Sequence, residues 1–171
     1  MKDFFDLASQ RYSCRKFSDK PVEDEKIQKI LEAGRLAPTA KNGQPQFIYV
    51  VKSAEMREKL KDASPCTFDA PVIFVMCGDV NDCWHDPYTG RPRAEMDVSI
   101  ITTHMMLQAA DLGLGSTWVC MANPHKLHTM LDMPEKHYPY CILPVGYPAD
   151  DAEPSERHTL RKEVSEFTKE V

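Results

Sequence analysis

At 171 residues with a formal net charge of -5, the chain suits one domain and is long enough to bury a core without disulfide or metal staples. Its acidic balance argues against nucleic acid as the main partner, since binding a phosphate backbone wants a basic surface. The longest apolar run, residues 70–77, is too short to span a bilayer, and the opening MKDFFD lacks the apolar centre of a signal peptide, so a soluble cytoplasmic protein is expected.

The first informative segment is RYSCRKF at residues 11–17. Alternate side chains of an extended backbone share a face, so Arg11, Ser13 and Arg15 would offer two guanidiniums and a hydroxyl to one anion. The same pattern also occurs as a solvated surface stretch. Cys14 would point to the opposite face, with flanking cations that could lower its thiol pKa. Residues 22–37 carry Ile27, Ile30, Leu31 and Gly34 at the spacing of a half-buried helix, with Glu25 and Lys29 paired at i+4, and Pro38 ends it. The loop APTAKNGQP at 37–45 interleaves prolines with short polar groups; it reads either as plain punctuation or as a rigid frame whose amides meet a planar heterocycle.

FIYVV at 47–51 is β-branched and aromatic, hence a strand, and Ser53 caps a short helix reaching about residue 61. Residues 72–77 are apolar on both faces and belong inside a sheet covered on both sides. Residues 79–93 fit neither period; Trp84 and Tyr88 make this either a surface excursion or a lid over a cofactor. A helix over 95–112 shows one apolar stripe through Met96, Ile100, Leu107 and Leu114 and another through Val98, Ile101, Met105 and Leu112, so it needs two partners, the chain's own sheet and a second copy of the chain. Asn123-Pro124 starts a helix to about residue 133, residues 140–147 return to strand, and an acidic link at 150–156 leads to a charged C-terminal stretch.

Six cysteines without a C-x-x-C pair or a secretory signal read as free thiols, and Cys66, Cys77, Cys120 and Cys141 as small core residues. Neither His125 with His128 nor Cys83-Trp84-His85 completes a tetrahedral set, so no metal is expected. Gly113-x-Gly115 follows a helix and precedes a strand, the reverse of a dinucleotide fingerprint.

Five motifs in order, from RYSCRKF and APTAKNGQP through APVIFV at 70–75 and LGLGSTWV at 112–119 to LPVGYP at 143–148, resemble the nitroreductase family of FMN-dependent oxidoreductases over roughly residues 5–160. The resemblance implies an α+β fold with a central, mostly antiparallel sheet flanked by helices, residues 1–171 as a single domain, and a long central helix at a homodimer interface. It implies FMN held without a covalent link. Arg11, Tyr12, Ser13, Arg15 and Arg157 would take its phosphate side. Pro38, Thr39, Ala40, Asn42 and Gln44 would approach the ring from the partner subunit, while Trp118, Val119, Cys120 and Gly146 would border its other side. No catalytic side chain is implied, because the flavin would pass electrons from NAD(P)H to a nitroaromatic or quinone in ping-pong turns. Thr39 and Ala40 depart from the family's pattern and leave the acceptor open. A flavin store or sensor without turnover, its ring face blocked by Trp84 or Tyr88, is the competing expectation.

Overall fold

Along its whole length β2 (Val72–Asp79) is buried, as the apolar pattern on both its faces requires. The computed structural model describes residues 3–171 and sets this strand second in a four-stranded antiparallel sheet of order β1-β2-β4-β3, with β1 (Gln46–Val51), β4 (His137–Gly146) and the short β3 (Gly115–Ser116). Phe74, Met76, Leu143 and Val145 face one core with Ile27, Ile30, Val98, Ile101 and Met105. Ile73, Val75, Cys77 and Ile142 face a second core with Leu60, Leu127 and Met133.

The described residues form five α-helices, α1 (Phe4–Gln10), α2 (Asp24–Arg35), α3 (Ala54–Leu60), α4 (Ala94–Asp111) and α5 (Pro124–Met130), with α1 packed on α4. Two caps act as expected. The Ser53 hydroxyl accepts from the Met56 amide at 3.3 Å, and the Asn123 side chain accepts from His125 and Lys126. α2 is shorter than its apolar pattern suggested, because Pro38 disfavours helical geometry at Ala37. The Glu25–Lys29 pair is not among the ion pairs formed; Arg35 pairs with Glu32 instead. α1 was not anticipated, having no buried residue and therefore no amphipathic signal.

β4 begins three residues earlier than expected. Pro139 cannot donate to a ladder and reads as a strand end, yet the register slips here: Met76 faces Cys141 and Cys77 faces Pro139, leaving Tyr140 as the extra residue of a bulge. Of the thiols expected in the core, Cys77 and Cys141 are buried, and burial pushes both up to about 12, so neither is a nucleophile. Cys66 is half-buried, whereas Cys120 is exposed, past the point where the chain leaves the sheet edge.

One of the two expected faces of α4 is in place: Val98, Ile101, Met105 and Ala109 are buried against the sheet and α2. On the other, Met96 stays 58% exposed and Ile100 37%, but Leu114, expected with them, lies past the helix end and is buried in the first core. Among the described residues, no helix is long and apolar enough to cross a membrane.

Candidate functional site

Residues 13–18 lie along the open end of the sheet. Ser13 bridges Ser116, Phe17 bridges Pro148, the Cys14 amide donates to the Ser116 carbonyl at 3.0 Å, and the Thr117 hydroxyl donates to the Cys14 carbonyl. The extended backbone then alternates as the sequence suggested. Cys14 turns inward against Gly115, and Arg11, Ser13 and Arg15 line a cleft of about 360 Å³ with Tyr12, Arg157 and Arg161. The expected activation of Cys14 is overturned: the thiol is fully buried, and desolvation raises its pKa despite the nearby Arg15.

Four guanidiniums thus converge on one cleft, and among the described residues none is within ion-pair distance of a carboxylate. Desolvation, and then the charge of Arg161, hold the Arg11 pKa below its usual value. A cation cluster that raises its own energy in this way is relieved by a bound anion, and planar donor forks suit a phosphate. Arg161 was absent from the sequence-based set. The available signal was its closeness to Arg157, four residues further along a segment read only as a charged tail. A 3-10 turn, Glu156–Thr159, capped by the Ser155 hydroxyl, positions Arg157.

The second predicted group lies elsewhere. Pro38, Thr39, Ala40, Asn42 and Gln44 form a loop around a 3-10 turn (Ala40–Asn42) that lines none of the arginine cleft. Lys41, Asn42 and Gln44 all have positive φ, at 53, 55 and 50°, a left-handed conformation that costs a non-glycine residue about 1 to 2 kcal/mol. Besides the backbone bonds of the turn itself, the Thr39 hydroxyl accepts from the Gln44 amide at 3.1 Å, and the Asp97 carboxylate accepts from the Ala40 amide at 2.9 Å. Asp97 is a positioning residue that the sequence pattern concealed, because it sits on α4 between two apolar stripes. It is buried, and its second carboxylate oxygen has no partner among the described residues. Asp97→Ala is expected to free the Ala40 amide, removing its hydrogen-exchange protection and costing roughly 1 to 3 kcal/mol, while Asp97→Asn keeps the acceptor and most of the protection. Unchanged protection in Asp97→Ala would remove the carboxylate from this role.

Residues 79–93 are an anchored hairpin-like loop and not a free flap. Asp79 accepts from the Asn81 and Asp82 amides and pairs with Lys136 at 2.8 Å; His85 bridges Pro92; Asp86 pairs with Arg93, at the start of α4. Tyr88, expected as a possible cover, is 95% exposed, whereas Trp84 lines a cleft together with Ala40. The Arg93 guanidinium holds the Asp86 carboxyl down to about 2 from its ordinary 3.8. A depressed carboxyl stabilises the fold above its unfolded value and loses that contribution on the way down. The stability difference between the parent and Asp86→Asn should therefore be constant above pH 3.8 and shrink as pH falls toward about 2, as read by paired urea melts.

Of the remaining predicted residues, Val119 is buried and exchanges backbone bonds with Ile142, Trp118 packs at the edge of the first core, and Cys120 is exposed. Gly146 faces Gly115 in the register, and a Cβ there would meet Pro71 at 2.6 Å and Phe17 at 3.1 Å, so this glycine lets two segments pack closely. None of these four lines the arginine cleft.

An antiparallel α+β fold carries a cleft lined by four arginines at the sheet's open end and, apart from it, a strained polar loop. The sequence profile of the nitroreductase family matches residues 8–69 and 63–147, and the chain belongs to that family. A nitroreductase family protein of Clostridium difficile 630 is 41% identical, with 98% of each chain covered and a TM-score of 0.92. An NADPH-dependent oxidoreductase of Staphylococcus haemolyticus is 31% identical over 169 residues, covering 88% of this chain and 67% of that one. An FMN-dependent nitroreductase of Clostridium difficile R20291 is 26% identical, covers 93% of this chain and 98% of that one, and has a TM-score of 0.77.

Proposed function

We propose that the protein is an FMN-dependent oxidoreductase that takes electrons from NAD(P)H and passes them to a nitroaromatic, quinone or related small acceptor, working as a homodimer in the cytoplasm with residues 1–171 as one FMN-binding domain. The observation that carries this reading is the cleft of four arginines without a carboxylate partner. That donor set fits the terminal phosphate of FMN.

When bound, FMN supplies the two-electron redox chemistry, accepting hydride from the nicotinamide and giving electrons to the acceptor in a separate half reaction. The chain's own residues hold and orient. Arg11, Arg15 and Arg157 neutralise the phosphate, Arg161 adds a fourth cation, and the Ser13 hydroxyl and Tyr12 complete the cleft wall. The loop of Pro38, Thr39, Ala40, Asn42 and Gln44, held by Asp97, serves the ring of the partner subunit, with Trp118, Val119, Cys120 and Gly146 on the other side. Two observations support a site divided between subunits: the loop and the cleft are separate within one chain, and α4 leaves Met96 and Ile100 uncovered. The test is an absorbance spectrum of protein purified in the presence of FMN, followed by anaerobic titration with NADH and NADPH. A yellow protein that bleaches with either nicotinamide is expected. Colourless protein, or bound flavin reducible by dithionite alone, would overturn the enzyme reading.

A further inference from the structure

We propose that the hollow between α1 and the C-terminal end of α4 is a second ligand site, and that it takes a short aliphatic carboxylate whose head competes with phosphate for Arg11. The hollow measures about 210 Å³ and lies beside the arginine cleft, sharing Arg11 and Tyr12 with it. Leu7 of α1, Ala110 of α4, Leu114 and Ser116 after it, and Pro148 beyond β4 are among its other walls. A dry cavity of about 150 Å³ holds a benzene ring, so this one has room for a chain of about four to six carbons. The proposal goes beyond the oxidoreductase reading, which assigns nothing to this space.

The way α4 ends makes the space. Gly113, at φ 76°, turns the chain out of the helix; the Leu114 amide donates to the Ala109 carbonyl at 2.9 Å and the Gly113 amide to the Ala110 carbonyl at 3.1 Å. Those bonds fix the turn, and nothing lies within 4 Å of where a Gly113 Cβ would stand. On the facing wall α1 ends with the Arg11 amide donating to the Leu7 carbonyl at 3.1 Å, which brings Leu7 to the hollow and Arg11 to its boundary with the arginine cleft. α1 contributes no buried residue, so its packing on α4 leaves the interval between them unfilled.

Three features select the ligand. Leu7, Ala110, Leu114 and Pro148 present hydrocarbon, which favours an apolar tail. Arg11 is the charged residue of the lining; no acidic side chain lies there, and among the described residues none is within ion-pair distance of it. Ser116 is 2% exposed, and its hydroxyl has no hydrogen-bond partner among the described residues, so a carboxylate oxygen supplies the acceptor it lacks. One cation beside hydrocarbon matches a monoanion with a tail. A phosphate, carrying about -1.5 to -2, is better served by the four guanidiniums of the adjoining cleft. Because Arg11 belongs to both spaces, the two ligands weaken each other reciprocally.

The test is calorimetric titration of the full chain with sodium hexanoate in phosphate-free buffer, before and after loading with FMN. Each methylene moved out of water is worth roughly fourfold in affinity, so hexanoate should bind at least about tenfold more tightly than acetate; uncharged hexanol should bind more weakly than hexanoate. Ala110→Phe, which fills the hollow from α4, should abolish hexanoate binding. Ser116→Ala should weaken it roughly tenfold or more, the size of one hydrogen bond to a charged group, while melting no lower than the parent, since a buried hydroxyl without a partner is removed. FMN should lower hexanoate affinity by roughly fivefold or more, and hexanoate should lower FMN affinity by the same factor. Hexanoate binding no tighter than acetate, or unchanged in both variants, overturns the site, and the Ser116→Ala titration decides alone if Ala110→Phe does not fold. Equal hexanoate affinity with and without FMN overturns the competition for Arg11. Flavin uptake and bleaching by NADPH need no hexanoate and report separately on the oxidoreductase reading.

Discussion

Arg11→Ala is expected to weaken FMN binding by roughly ten- to a hundredfold while leaving the empty protein at least as stable as its parent. The two effects have opposite signs for one reason. In the empty cleft the Arg11 guanidinium is partly desolvated, faces Arg161 and has no carboxylate in reach, so its charge is a burden on the fold. With a phosphate present the same guanidinium makes a charge-assisted hydrogen bond, worth about 1.5 to 3 kcal/mol when removed. Fluorescence titration with FMN measures the first effect, and thermal melts in phosphate-free buffer measure the second. Added inorganic phosphate should raise the melting temperature of the parent more than that of the variant. Parent-like FMN affinity in Arg11→Ala, or a lower melting temperature of its empty form, would show that the cleft is not an anion site.

Gly115→Ala should be among the most damaging small substitutions in the chain, in both folding and binding. Its Cβ would stand 2.6 Å from the Cys14 Cβ and 2.7 Å from the sulfur. Cys14 has no room to yield, being buried and tied to Ser116 and Thr117 through its own backbone. Overpacking of this kind costs about 1 to 3 kcal/mol, or roughly 3 to 10 °C in a chain of this length. Because the displaced segment is the one that carries Arg11, Ser13 and Arg15, FMN affinity should fall with stability. Gly113→Ala is the control. Its φ of 76° makes a side chain strained, but nothing lies within 4 Å of the added carbon, so a loss of about 1 kcal/mol with FMN binding intact is expected. Equal binding losses in the two variants would mean that the clash with Cys14 is not what matters.

Much of this was legible in the sequence where one physical signal acted alone. The β-branched and aromatic run at 47–51, the doubly apolar 72–77 and the apolar spacing of α4 each identified their element, and the alternation of Arg11, Ser13 and Arg15 correctly sent Cys14 inward. Failures occurred where two effects competed. Pro139 reads as a strand terminus because a missing donor outweighs its neighbours in sequence, but a bulge at Tyr140 absorbs it. Cys14 reads as activated because its neighbours are cationic, but burial dominates, and burial is a property of the fold. Asp97 and Arg161 were missed because each acts on residues far away in the chain: the carboxylate on Ala40, the guanidinium beside Arg11. Local pattern has no access to such pairings. The family motifs pointed to the arginine cleft and to the Ala40 loop separately, and their separation in space is what the coordinates add.

The turn that carries Lys41 and Asn42 achieves left-handed backbone without a glycine at either position, because its shape is imposed from outside by a helix carboxylate and closed by a threonine hydroxyl. Most unbranched side chains could therefore occupy those places at no new backbone cost, each presenting a different tip to the neighbouring crevice. The scaffold and the chemistry of its rim are thereby uncoupled, so that drift at a few codons can change the groups on the rim while the architecture beneath stays as it was.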